Sequence, residues 1–154
     1  MTGATKPGMT HTMPMRVYYE DTDAAGIVYY ANYLKFAERG RTEMMRELGF
    51  EHSRVFAEEG IAFIVRRLSA DYRGAARLDD ALTVETRVDA IGAATLELDQ
   101  QIRREGATLV ALNVLVACVG RDSRPRRLPS GLRAALAAAG QLPVSSPPIV
   151  QKTP

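Results

Sequence analysis

Residues 16–36 read RVYYEDTDAAGIVYYANYLKF, with two carboxylates set between a β-favouring run and the start of a helix. Arg16-Val17-Tyr18-Tyr19 favours extended chain, and Asp21-Thr22-Asp23 follows almost at once. From residue 29 the period becomes helical. Tyr33, Ala37, Gly40, Met44 and Leu48 fall on one stripe over 29–48, and Gly49 supplies the stop. The first half, YYANYLKFA, is apolar nearly all round, so this helix is expected to be enclosed rather than to lie on a surface. Glycine in mid-helix costs about 1 kcal/mol relative to alanine; close approach of another backbone would account for Gly40.

Beyond residue 60 the period changes to two. In ALTVETRVDAI (81–91), Leu82, Val84, Thr86, Val88 and Ala90 face one way, and Thr83, Glu85, Arg87 and Asp89 the other. In TLELDQQIRR (95–104), Leu96, Leu98 and Ile102 oppose Glu97, Asp99, Gln101 and Arg103. Each reads as a half-buried antiparallel strand, and Gly92 and Gly106 fall where hairpin turns belong. IAFIVRRLSADYR (61–73) supplies another long strand, and 108–119, apolar on both faces, belongs at the centre. SGLRAALAAAG (130–140) closes the domain as a short helix, with Ser130 as N-cap and Gly140 as stop. The order of strand, long helix, four long strands and short helix predicts an α+β fold: an antiparallel sheet wrapped around one apolar helix.

The chain of 154 residues suits one domain with a substantial core. Residues 1–14, MTGATKPGMTHTMP, and 141–154, QLPVSSPPIVQKTP, lack apolar periodicity and are expected to be loose tails around a domain of 15–140. A net charge of +2 suits a small anionic ligand and is far too weak to argue for nucleic acid. The single cysteine, Cys118, excludes an internal disulfide or a multi-cysteine metal site, and its apolar neighbours mark it as a core strand residue. With no signal-like segment and no run of about 18 apolar residues, a cytoplasmic protein is expected.

Two acids at the mouth of a helix have three readings. Asp21 or Asp23 could cap the helix and complement its dipole. They could form an Asp-x-Asp magnesium site after a strand, although Ala24-Ala25-Gly26 follows them where the phosphatases that use an aspartyl nucleophile have threonine and β-branched residues. Or one acid could be a base or nucleophile facing the N–H groups of a helix start, a site for acyl transfer. A histidine base is not in prospect: His11 falls in the expected tail and His52 just past the helix stop, as a surface loop residue. Asp21, Asn32 and Tyr33 are expected to be structural, Asp79-Asp80 to form a turn, and Arg39, Glu43 and Arg46 to make ion pairs along the helix.

The stretch VYYEDTDAAGIVYYANYLKFAERGRTEMMRELG resembles the start of the YbgC-type acyl-CoA thioesterases of the hotdog fold, relatives of the 4-hydroxybenzoyl-CoA thioesterases. The likeness continues through FIVRRLSADYRGAARLDD (63–80) and, more loosely, LPSGLRAALA, and so spans roughly 15–139. It implies a hotdog fold and hydrolysis of an acyl-CoA thioester without a metal, coenzyme A being part of the substrate rather than a cofactor. Asp23 matches the catalytic carboxylate, Gly26 the glycine of the tight turn, and Tyr30 the position whose backbone N–H polarises the thioester carbonyl. Many YbgC-type proteins carry histidine where this chain has Tyr30, whereas the hydroxybenzoyl-CoA enzymes carry tyrosine. A backbone role tolerates either, so the departure bears on acyl preference.

The phosphates of coenzyme A call for basic residues. The candidates are Arg66 and Arg67, the pair Arg103 and Arg104, and Arg124, Arg126 and Arg127 in the RPRR loop. The two-faced apolar strand 108–119 implies a covering partner, and the resemblance implies a dimer that pairs into a homotetramer. The rival reading is a non-catalytic acyl-thioester binder or adaptor of the Tol-Pal envelope system. Peripheral association with a membrane or an acyl carrier protein stays open.

Overall fold

The computed structural model describes residues 10–140. Its elements are β1 (His11–Arg16), a single 3-10 turn (Tyr19–Asp21), α1 (Asn32–Glu47), α2 (His52–Glu59), β2 (Ala62–Tyr72), β3 (Ala81–Ile91), β4 (Thr95–Arg104), β5 (Ala107–Val119) and α3 (Ser130–Gly140). The strands form one antiparallel sheet in the order β1-β3-β4-β5-β2. This is the α+β arrangement expected, a long sheet curved around one helix.

Alternation builds the inner face. Leu82, Val84, Thr86 and Val88 of β3 and Leu96, Leu98, Gln100 and Ile102 of β4 are buried. Onto them α1 lays Tyr33, Phe36, Ala37, Gly40, Arg41, Met44 and Met45. The expected enclosure of this helix is only partial, because Lys35, Glu38 and Arg39 remain exposed in the single chain. Gly49 ends the helix at a φ of 91°. Gly40 has a different cause from the one expected: a Cβ there would stand 2.6 Å from Val84 Cγ1, so it makes room for sheet side chains rather than for a backbone.

Several boundaries differ from the sequence reading. The tail assigned to 1–14 ends earlier, since His11–Arg16 pairs with β3 from His11↔Thr86 to Arg16↔Ala81. Met13 and Met15 pack against the core, Pro14 is tolerated because β1 is an edge strand, and His11 Nε2 lies 3.0 Å from Glu47. The extended run at 17–19 is not a sheet strand. Val17 instead exchanges backbone hydrogen bonds with the 79–80 turn, donating to Asp80 O and accepting from Asp79 N–H, both at 3.0 Å. The helix starts at Asn32 rather than 29, because Tyr29 N–H is held by Asp21 O at 3.0 Å. His52 opens α2, a helix hidden from the periodicity because only Val55 of its eight residues is buried. Ser130 is the first residue of α3 rather than its cap.

β5 is interior, paired by β4 and β2, but β4 holds the middle of the sheet. Cys118 is a core residue as expected, and burial pushes its thiol up to about 11. The expected tails 1–9 and 141–154 lie outside the described residues. No described helix is long and apolar enough to cross a membrane.

Candidate active site

The two acids of the 16–36 stretch have separate fates. Asp21 turns inward and is 4% exposed. Its Oδ2 accepts Tyr18 N–H at 2.9 Å, its Oδ1 accepts Asn32 Nδ2–H at 2.9 Å, and its backbone oxygen accepts Tyr29 N–H. Both carboxylate oxygens are thus spent on clamping the loop to the start of α1. That fits a structural role.

Asp23 opens a tight turn. Its N–H donates to Ile27 O and its backbone oxygen accepts Gly26 N–H, both at 2.9 Å, while Thr22 bridges Val28. Oδ1 accepts Ala25 N–H at 2.8 Å, an Asx-type bond that fixes the side-chain rotamer. Oδ2 makes no hydrogen bond among the described residues, and the residue is exposed. Gly26 closes the turn at a φ of 82° with nothing within 4 Å of where a Cβ would stand, so its requirement is conformational.

Tyr30 sits in the turn just before α1. The helical ladder begins with Asn32 N–H to Tyr29 O at 2.8 Å, then Tyr33 N–H to Tyr30 O and Leu34 N–H to Ala31 O. Among the described residues the N–H groups of Tyr30 and Ala31 donate to nothing, and the N-cap Ala31 provides no side-chain bond. Capping by Asp21 or Asp23 therefore does not occur; the helix start keeps its donors free. The Tyr30 ring is 61% exposed and lies 5.0 Å from the Tyr29 ring and 6.0 Å, edge-on, from Tyr72.

Hydrogen bonds brace the neighbouring chain. Tyr33 Oη accepts Ala76 N–H at 2.9 Å, and burial raises its phenol pKa. Asp80 accepts Arg77 N–H and an Arg104 guanidinium N–H at 2.7 Å, bonds that hold its carboxyl below the usual carboxylate range. Asp79 turns the chain at a φ of 72°, and Ile27 bridges Arg77. The Asp79-Asp80 segment is thus the structural turn expected.

The arginine candidates divide. Arg103 and Arg104 are consumed internally, the former on Gln101, Thr108 and Gly106 O, the latter on Asp80 and Ala75 O. Arg126 is 3.6 Å from Asp122. Arg124 and Arg127 are exposed in the same loop. Arg66 and Arg67 are exposed on the edge strand β2, where a bulge falls between Val65 and Arg67, and form no ion pair among the described residues. On α1, Arg46 pairs with Glu43.

Sequence reasoning missed a second feature. Arg41 is 9% exposed, and its guanidinium donates to Gln100 Oε1 at 3.0 Å. Gln100 is itself held through Nε2 by Ala37 O and Thr86 Oγ1. Arg41 lines a cavity of about 330 Å³ floored by Met44, Leu98 and Val116 and walled by Phe63 and His52. Burial and the nearby Arg41 and Arg46 charges hold the His52 pKa below the usual histidine value. The signal was present: Gln100 occupies an inward position of the β4 alternation, where a polar residue needs a partner. Among the described residues no group of His, Cys, Asp and Glu is arranged to hold a metal ion.

Residues 25–111 match the thioesterase superfamily. The acyl-CoA thioesterase YbgC of Haemophilus influenzae is 45% identical over 125 residues, covering 80% of this chain and 92% of that protein. The acyl-CoA thioester hydrolase YbgC of Escherichia coli O157:H7 is 43% identical over 77% of this chain and 90% of its own length. Among solved structures, a probable thioesterase from Bartonella henselae superposes with a TM-score of 0.75 at 35% identity, over 78% of this chain and 99% of that one.

Proposed function

The chain belongs to the thioesterase superfamily, and we propose that it hydrolyses an acyl-CoA thioester to the free acid and coenzyme A. The observation that carries this reading is that the unbonded Asp23 Oδ2 and the unspent Tyr30 N–H lie on a single clamped segment.

Attack on the thioester carbonyl places negative charge on its oxygen. The Tyr30 N–H, at the positive end of α1, is the donor for that charge, and one such donor is commonly worth roughly 10²–10³ in rate. Asp23 Oδ2 either takes a proton from the attacking water or attacks the carbonyl itself to give a mixed anhydride that water then opens. In both routes the C–S bond breaks, and coenzyme A leaves as thiolate and takes up a proton. Water's oxygen ends in the acid when Asp23 is the base, whereas water that opens the anhydride at the Asp23 carbonyl leaves its oxygen in Asp23 and releases the acid with an Asp23 oxygen. The thiolate is a good leaving group, so no dedicated general acid is needed. Gly26 holds the turn that aims Asp23. One turnover in ¹⁸O water separates the routes, since only the anhydride route leaves label in Asp23.

The functional unit is a dimer, in which two copies pair through the β2 edge. That strand exposes Ile64 (50%), Val65 (45%) and Tyr72 (42%) together with its unpaired backbone groups. Two such dimers form a tetramer. Arg66 and Arg67 on the same edge, with Arg124, Arg126 and Arg127, are the candidates for the phosphates of coenzyme A. A cytoplasmic setting suits the single buried thiol.

A Tol-Pal adaptor that only binds acyl thioesters, at a membrane or on an acyl carrier protein, has no need of a carboxylate oxygen left free. Thiol release by the purified protein from a panel of acyl-CoAs tests the enzymatic reading. Turnover on any member supports it, and binding without turnover across the panel contradicts it.

A further inference from the structure

We propose that the cavity beside Arg41 in one copy receives the acyl group of the thioester held by Asp23 and Tyr30 of a second copy. Arg41 there selects acyl groups that carry an oxygen acceptor near their far end. The inference rests on the thioesterase reading and on the β2-paired dimer proposed above.

The cavity is a built site. Arg41 is a buried cation, and burial lowers its pKa. One of its N–H groups is fixed by Gln100, which Ala37 O and Thr86 Oγ1 fix in turn. No other side chain of the described residues accepts a hydrogen bond from Arg41, none of its nitrogens is a buried orphan, and the residue lines the cavity. A cation desolvated and oriented in this way loses little by accepting a neutral oxygen ligand. The floor of Met44, Leu98 and Val116 suits an apolar body, and about 330 Å³ is at the small-ligand end of pocket sizes. Glu38 also lines the cavity and disfavours an anionic tip. A ketone or similar neutral acceptor is therefore the chemistry that fits.

The route is in trans. Arg41 follows Asn32 by nine residues, about 14 Å along α1, so the cavity lies well away from the same copy's Tyr30. β2 connects the two places: its Phe63 end walls the cavity, and Tyr72 at its other end meets the Tyr30 and Tyr33 rings at 6.0 and 5.9 Å. Antiparallel pairing of two β2 edges about a two-fold axis sets the Phe63 end of one copy against the Tyr72 end of the other. The exposed Ile64, Val65 and Tyr72 all lie on the strand that such pairing covers.

The test compares kcat/KM for 5-oxohexanoyl-CoA and hexanoyl-CoA, which differ by one far oxygen, in purified dimer. Wild type is expected to favour the oxo substrate, and Arg41→Met to cut that preference about tenfold or more, the usual worth of a hydrogen bond to a charged group. No preference in wild type, or one unchanged in the variant, overturns the assignment of Arg41. Should Arg41→Met fail to fold, His52→Trp, which narrows the cavity from an exposed position, must lower kcat/KM for both substrates relative to acetyl-CoA. An unchanged ratio overturns the cavity assignment. Mixed dimers of an Asp23→Asn copy and an Arg41→Met copy decide the route. The trans arrangement restores about half of the wild-type rate on the oxo substrate with wild-type preference, because one site has both residues. If the only active site shows the Arg41→Met preference, the trans arrangement is overturned. Hydrolysis of hexanoyl-CoA reports the thioesterase reading separately.

Discussion

The Asp21 carboxylate accepts a hydrogen bond from the Asn32 side-chain amide at 2.9 Å, tying the loop before the helix to the first residue of the helix. With Tyr18 N–H on its other oxygen, Asp21 fixes the path on which Asp23 and Tyr30 both lie. Asp21→Ala removes the acceptor of two part-buried hydrogen bonds and should cost about 2–4 kcal/mol. Asn32→Ala should cost less, and the double variant less than the sum of the two. Urea unfolding of the three variants measures the coupling; strict additivity would mean that the bond contributes nothing.

Gly40→Ala is expected to destabilise, although alanine is the better helix former by about 1 kcal/mol. The added methyl meets Val84 Cγ1 at 2.6 Å in a packed core, an overpacking worth about 1–3 kcal/mol or more. Val84→Ala in the same chain should restore part of the loss. A thermal midpoint for Gly40→Ala at or above wild type would show that the helix and sheet separate freely.

These two positions mark how far the sequence could be read. The strands β3 and β4 were legible because one buried face and one polar face impose a period of two, and α1 because its buried stripe recurs at helical spacing. β1 was not, since its polar, proline-containing HTMPMR gains its order from pairing with Thr86 to Ala81 rather than from local pattern. α2 buries too little to leave a stripe. Asp23 and Tyr30 stood out in the motif. The separation of Asp21 from Asp23, one clamped inside and one exposed, depends on Asn32 and Tyr18 and has no signature in a linear reading. Nor has the meeting of Arg41 with Gln100, which joins residues of different elements.

Cys118 should be inert in the native protein. Its thiol is pushed up to about 11 by burial, so at pH 8 it is protonated and shielded, and alkylation by iodoacetamide is expected only after unfolding. A folded-state pKa above the unfolded value gives a stabilising contribution that is complete below about pH 9 and is lost as pH rises toward 11. Cys118→Ala should flatten that part of the stability profile. Rapid labelling of the folded protein at pH 8 would contradict the burial.

Val65→Asp places a charge on the exposed edge of β2 and should shift the protein toward monomer, with hydrolysis falling in parallel. Sedimentation of wild type is expected to give a multiple of the 16.9 kDa chain at micromolar concentration. A wild-type protein that is monomeric and active would refute the requirement for a second copy.

The most direct test is kcat for Asp23→Asn on one good acyl-CoA substrate, with Asp21→Asn alongside and thermal midpoints for both. Asparagine keeps the bond to Ala25 N–H and so the turn, but can neither take a proton from water nor attack the carbonyl. The account predicts a rate near background for Asp23→Asn with a midpoint close to wild type. For Asp21→Asn it predicts a lowered midpoint and a much smaller loss of rate. Retention by Asp23→Asn of more than about a tenth of the wild-type rate, equivalent to less than about 1.4 kcal/mol of barrier, would contradict the assignment of this carboxylate to the reaction.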